Sequence, residues 1–155
     1  MAQTNASLLP LIPRVFFLFL EPVLVTYGGL MQYATSHDIL GLSASNGPLP
    51  TPTLLMPSLS ASYLFSMMLY GLIILLASPP NKRLVQLHIG VLILADFTHW
   101  AGLFSTIARS DPRGWPAVLD TSAWSPETWT LAIYPIYTLA IKFATLAGVF
   151  GKIKG

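Results

Sequence analysis

Residues 84–107 read LVQLHIGVLILADFTHWAGLFSTI. A helix needs about 20 apolar residues to cross a hydrocarbon core, and this run meets that length. Yet it carries Asp96 and His99 near its middle and His88 near its start. A charge at the bilayer centre costs roughly 2.5–3.5 kcal/mol on insertion scales, so a chain that keeps several must pair, shield or neutralise them. The run therefore sets the class of the fold, a membrane helix, and the place where chemistry is to be sought.

Three further stretches outside it have the same character: 12–33 (IPRVFFLFLEPVLVTYGGLMQY), 59–77 (LSASYLFSMMLYGLIILLA) and 129–150 (WTLAIYPIYTLAIKFATLAGVF). The expectation is an all-α protein, a four-helix transmembrane bundle forming one integral membrane domain over residues 1–155. Composition agrees. Hydrophobic residues make up 54% of the chain and charged residues 9%, against roughly 25% charged in an average soluble domain. The mean hydropathy is +0.64. The run at 12–33 exceeds the length of a signal-peptide apolar region, about 7–15 residues, and holds Glu21-Pro22, so it reads as a retained span.

The connections carry prolines. Residues 37–58 hold four, which reads as a loop or surface cap that cannot continue a spanning helix. Residues 108–128 hold Trp115 and Trp124, rings suited to the headgroup level. One face of the bundle receives Arg14, Lys82, Arg83, Lys152 and Lys154, whereas the other receives Arg109 and Arg113 diluted by Asp38, Asp111, Asp120 and Glu127. The excess of basic residues places both termini in the cytoplasm, with the endoplasmic reticulum as the expected membrane. Asn5-Ala6-Ser7 is a glycosylation sequon, expected to stay unmodified because it faces the cytoplasm.

Helical spacing groups the intramembrane polar residues. His88, Leu92, Asp96, His99 and Leu103 form one stripe, and Tyr134, Thr138, Lys142 and Thr145 a second. Phe17, Glu21, Val25, Gly28 and Gln32 align on the first span, with Gly28-Gly29 permitting close helix approach, and Tyr63, Met67 and Tyr70 align on the second. Pro22 and Pro135 deprive the carbonyls of Leu18 and Leu131 of their helical donors, and freed carbonyls at this depth need another donor or a water. The reading is a kinked, partly hydrated cavity near the midplane, shared by all four helices.

Two kinds of role are open for each residue. Lys142 either snorkels to the cytoplasmic interface or serves the interior. Glu21 either fixes packing by pairing with Lys142 or a tyrosine hydroxyl, or acts as an acid. Asp96 and His99, one turn apart, are either a structural hydrogen-bonded pair or a proton-exchange pair, because a carboxylate orients and tunes an imidazole. His88 reads as interfacial. A carboxyl in an apolar cavity stays a usable acid at neutral pH, which suits isomerisation or cyclisation of an apolar substrate.

No cysteine is present and only three histidines, so no metal site and no cofactor are expected. A nucleophile elbow and a phosphate loop are missing from the sequence. The net charge of +2 gives no reason to expect a nucleic-acid partner.

The segments LIPRVFFLFLEPV (residues 11–23) and ILADFTHW (residues 93–100) resemble a family of small fungal four-span integral membrane proteins with an uncharacterised domain. That resemblance implies a place beside secondary-metabolite genes and a role in making a lipophilic natural product. The layout is also similar to the EXPERA group, which includes emopamil-binding sterol isomerase. That enzyme relies on His and Glu in its second span, whereas this chain has only tyrosines as ionisable groups there, so Glu21, Asp96 and His99 would substitute from other helices. Fungal membrane-bound terpene cyclases also use intramembrane carboxylates, but on about seven spans.

The leading expectation is a membrane-embedded acid–base enzyme of isomerase or cyclase type acting on a terpenoid, polyketide or sterol-like substrate. Glu21, Asp96 and His99 are its catalytic residues, and Tyr63, Tyr70, Trp100, Tyr134, Tyr137, Thr138 and Lys142 its substrate contacts. The alternatives are a non-catalytic lipid or sterol binder, an accessory subunit of another membrane enzyme and, last, a dimeric proton-coupled transporter. The expected partners are the lipophilic substrate, membrane lipid, and a second copy or a membrane enzyme.

Overall fold

A computed structural model describes residues 3–34 and 51–155, with side chains described outside 28–61 and 127. The described residues are helical and contain no strand. After a 3-10 turn at Asn5–Leu8, helix α1 (Leu11–Val15) passes through a π-helical turn at Phe16–Leu20 into α2 (Glu21–Ala34). Then follow α3 (Thr51–Leu76), α4 (Lys82–Ser110), the single turn α5 (Pro116–Leu119), a second 3-10 turn at Thr121–Ala123, and α6 (Pro126–Leu146). Helix α3 packs on α2 and α4, and α4 on α6. Helix α4 and the Thr128–Leu146 part of α6 are long and apolar enough to cross a membrane, and Ser62–Leu76 is a shorter apolar helix.

The helix ends follow local chemistry. Asn81 caps α4, its side chain accepting from the Leu84 N–H at 3.1 Å, and Ser125 caps α6 by accepting from Thr128 N–H at 3.1 Å, with Pro126 in the first turn. Helix α6 ends at Leu146, and Gly148, with a φ of +78°, turns the chain just beyond it.

Two boundaries differ from the sequence reading. Helix α3 begins at Thr51 and runs through Pro52 and Pro57, so residues 51–58 are helix and not part of a loop. Pro52 falls in the first turn, where its missing N–H would have no helical partner anyway. The rest of the expected loop, 37–50, lies outside the described residues, as do the surroundings of Gly28 and the side chain of Gln32. Helix α6 ends at Leu146 instead of reaching 150, because Gly148 reverses the backbone.

The apolar core gathers at one end of the bundle: Leu9, Phe16, Phe17, Leu75, Val85, Ile89, Leu92 and Ile153. Asn5 is fully buried there. Its backbone N–H donates to the Ala77 carbonyl at 3.0 Å, its side-chain amide donates to Ile74 O at 2.7 Å, and its Oδ1 accepts from Asn81 N–H. The carboxyl-terminal tail closes over the same end, Lys154 N–H donating to Leu8 O at 2.9 Å. The sequon asparagine is therefore a clamp between the amino-terminal turn and the α3–α4 connection. His88, read as interfacial, is buried, and α3 comes so close at Gly71 that a Cβ there would collide with the His88 ring.

Large apolar side chains stand on the surface, and several charged and polar ones are buried. Phe19, Val23, Ile73, Leu94, Phe97, Ile136 and Phe143 are exposed, whereas Glu21, Asp96, Thr138, Lys142 and Thr145 are buried.

Candidate functional site

The buried charges meet in one cluster. Lys142 Nζ lies 2.6 Å from Glu21 Oε1 and 2.7 Å from Asp96 Oδ2, and the lysine side chain is 1% exposed. Thr138 Oγ1 donates to the same Asp96 oxygen at 2.9 Å. Three helices supply the parts: Glu21 opens α2, Asp96 sits midway along α4, and Thr138 and Lys142 lie one turn apart on α6. The stripes read from the sequence thus face each other. Lys142 does not snorkel. Its stem points inward, and its ammonium is the hub that holds two carboxylates together.

Glu21 is delivered by the turn that precedes it. Pro22 has no N–H to give the Leu18 carbonyl, and the backbone before it adopts the wider π turn, in which Glu21 N–H bonds to Phe16 O five residues back. A π turn holds one residue more than an α turn, so it shifts the helical phase by about 100° and aims the following side chain differently.

His99 has a different partner from the one its spacing suggested. Its Nε2 lies 3.2 Å from the Leu131 carbonyl, the group Pro135 deprives of a helical donor, and it makes no hydrogen bond to Asp96. Side chains of α4 thus serve the α6 backbone in the turn before Pro135, since Trp100 Nε1 donates to the neighbouring Ala132 O at 2.8 Å. The expected hydrogen-bonded pairing of Asp96 with His99 is corrected accordingly. An orphan carbonyl in an apolar interior is expensive, and the imidazole satisfies it.

The expected aromatic lining divides. Tyr134 is half-buried, and its hydroxyl is sealed from solvent without a hydrogen-bond partner among the described residues. Tyr63, Tyr70 and Tyr137 are 41%, 61% and 66% exposed, so they face outward and do not line the cluster. The spacing of Tyr63, Met67 and Tyr70, steps of four and three, defines a shared face but does not say which way that face points. Among the described residues no group of three or more His, Cys, Asp or Glu has the arrangement of a metal site. Sequence reasoning missed Asn5 as a structural clamp. The pattern offered only the sequon, and nothing local signals burial of an asparagine near the amino terminus.

Outside the helices, Arg113 bridges Asp111 (2.8 Å) and Asp120 (2.7 Å) in the α4–α6 connection. The hydrogen bonds from Arg113 hold the Asp111 carboxyl down at about 2, and the Ser122 hydroxyl followed by Arg113 lowers Asp120.

Residues 6–152 match the family described as a domain of unknown function (DUF7704). The chain belongs to the DUF7704 family. The match embraces nearly the whole described helical unit, and all four members of the cluster lie inside it. No curated protein and no solved structure matches this DUF7704 chain.

Proposed function

We propose that this DUF7704 protein is a multi-pass integral membrane protein, a four-helix transmembrane bundle, whose Glu21–Lys142–Asp96 cluster is the acid–base centre of an isomerase- or cyclase-type enzyme. Its substrate is a lipophilic terpenoid, polyketide or sterol-like molecule of fungal secondary metabolism. The membrane reading is supported by the apolar surfaces of the helices around a charged interior, an arrangement that water would penalise and lipid favours. The gathering of the amino-terminal turn, the α3–α4 connection and the carboxyl-terminal tail at one end supports a common side for Lys82, Arg83, Lys152 and Lys154. By charge bias that side is the cytoplasm, and the membrane that of the endoplasmic reticulum.

The observation that carries the catalytic reading is the sharing of one buried ammonium by two carboxyl groups. Two carboxylates and one ammonium sum to −1, so the cluster is electrically neutral only when one carboxyl holds a proton. Shifting a double bond needs a proton delivered to one alkene carbon, which leaves a cation on the other, and a proton removed from the carbon beyond that cation, with no net consumption. A carboxylic acid and a carboxylate held on either side of Lys142 can perform both steps, while Thr138 fixes the orientation of Asp96.

The test is complementation of a deletion strain with the wild-type chain, Glu21→Gln and Asp96→Asn, followed by extraction of apolar metabolites. Loss of product in both variants, with protein abundance retained, is expected. Unchanged product in both removes the proposal.

A second reading has its own support. His99 and Trp100 are committed to the α6 backbone, and Tyr63, Tyr70 and Tyr137 face outward. This suits a non-catalytic lipid binder or an accessory subunit of another membrane enzyme, its charge cluster serving as an internal lock. On that reading Asp96→Asn lowers the abundance of the protein or its partner while product per assembled complex stays constant.

A further inference from the structure

We infer that Tyr134 is the polar contact for the oxygen of a bound, otherwise apolar molecule, so that the ligand of this interior is an oxygenated lipophile with a hydroxyl, ketone or epoxide group. The inference rests on the cluster being a ligand-facing centre and names the class of molecule that it takes.

Tyr134, Thr138 and Lys142 follow one another at successive turns on one face of α6. The last two are spent on the cluster, Thr138 donating to Asp96 and Lys142 pairing with Asp96 and Glu21. Tyr134, one turn further, has a hydroxyl that bonds to neither carboxylate and is shut off from solvent. A buried polar group left unpaired costs roughly 1–3 kcal/mol, a penalty a phenyl ring of the same shape would avoid. The neighbouring donors cannot turn to it, since His99 is held on the Leu131 carbonyl and Trp100 on the Ala132 carbonyl. Among the described residues the complement to this hydroxyl is therefore missing, and a molecule entering between the helices supplies it.

The experiment uses the full chain in phosphatidylcholine nanodiscs and matched probes that differ in one oxygen: farnesol against farnesene, and cholesterol against cholestane. The readout is the thermal unfolding midpoint as a function of probe concentration. At least one alcohol should raise the midpoint of the wild-type chain while its hydrocarbon does not. Tyr134→Phe should fold with an equal or higher midpoint in the absence of probe and bind that alcohol about tenfold more weakly, the worth of one hydrogen bond. Equal shifts from alcohol and hydrocarbon, no shift from either alcohol, or full retention of the alcohol effect in Tyr134→Phe overturns the inference.

A diazirine analogue of farnesol gives a reading that does not depend on the variant. Labelling of the Tyr134 face of α6 in the wild-type chain supports the site, and labelling confined to the outward-facing Ile136 and Tyr137 overturns it. Binding by these criteria without product formation would sink the catalytic reading and leave this one standing. Product formation without a Tyr134-dependent difference would do the reverse.

Discussion

At the scale of single residues, Lys142 holds the interior together. An isolated ammonium in an apolar bundle carries a desolvation penalty of several kcal/mol, offset here by two short ion pairs. Removing it is worse than never having had it, because two carboxylates are left facing each other. Lys142→Met should therefore destabilise the protein by roughly 3–5 kcal/mol, read as thermal unfolding in detergent. A midpoint within experimental error of wild type would mean the carboxylates are not held by the lysine. His99 is tested in the same way. His99→Leu leaves the Leu131 carbonyl without its donor and should cost roughly 1–3 kcal/mol, while the analogous change at the outward-facing Tyr137 should cost little.

At the scale of elements, the π turn before Glu21 and the His99 contact to the Leu131 carbonyl before Pro135 are two answers to one problem. Each proline withholds a donor. At Pro22 the helix widens, so Glu21 N–H reaches Phe16 O, whereas at Pro135 a neighbouring helix lends His99. Pro22→Ala should restore a regular helix and swing Glu21 away from Lys142. The coupling between Glu21→Gln and Lys142→Met in a double-mutant cycle of unfolding free energies should then shrink relative to the wild-type background. Coupling that survives intact would show that the π turn does not aim Glu21.

The α4–α6 connection is tested by acid. The folded-state value of Asp111, about 2, lies below its ordinary 3.8, so the Arg113 contacts stabilise the turn fully above the ordinary value. They are lost as the pH falls through about 2. Arg113 N–H donates to Asp111 Oδ1, and its exchange protection should decline over this window toward that of Asp111→Asn. Protection equal in the two proteins at neutral pH would contradict the contact.

At the scale of the whole molecule, three distant parts of the chain meet at one end through Asn5 and Lys154. The four-span reading therefore puts Gln3 and Ser78 on one side of the membrane and Ser122 on the other. The natural chain has no cysteine, so single substitutions report without background. Gln3→Cys and Ser78→Cys should react with an impermeant maleimide from the same side of sealed microsomes, and Ser122→Cys only from the opposite side. Labelling of all three from one side would rule out the bundle as drawn.

Much of this was legible in the residues. Runs of apolar side chains fix helix class and approximate length, because backbone polar groups away from water have few ways to be satisfied. Periodicity placed Glu21, Asp96, Thr138 and Lys142 on stripes, since the helical repeat fixes which side chains share a face. The sequence also marked the Leu131 carbonyl as wanting a donor, a consequence of covalent structure at Pro135. Tertiary structure alone decided the partners: that Lys142 turns inward to two carboxylates, that His99 serves a carbonyl and not Asp96, and that the Tyr63, Tyr70 and Tyr137 faces look outward. The physical reason is that a stripe defines a direction only relative to its own helix. Which groups meet is set by the rotation and depth at which neighbouring helices pack, and those depend on distant parts of the chain.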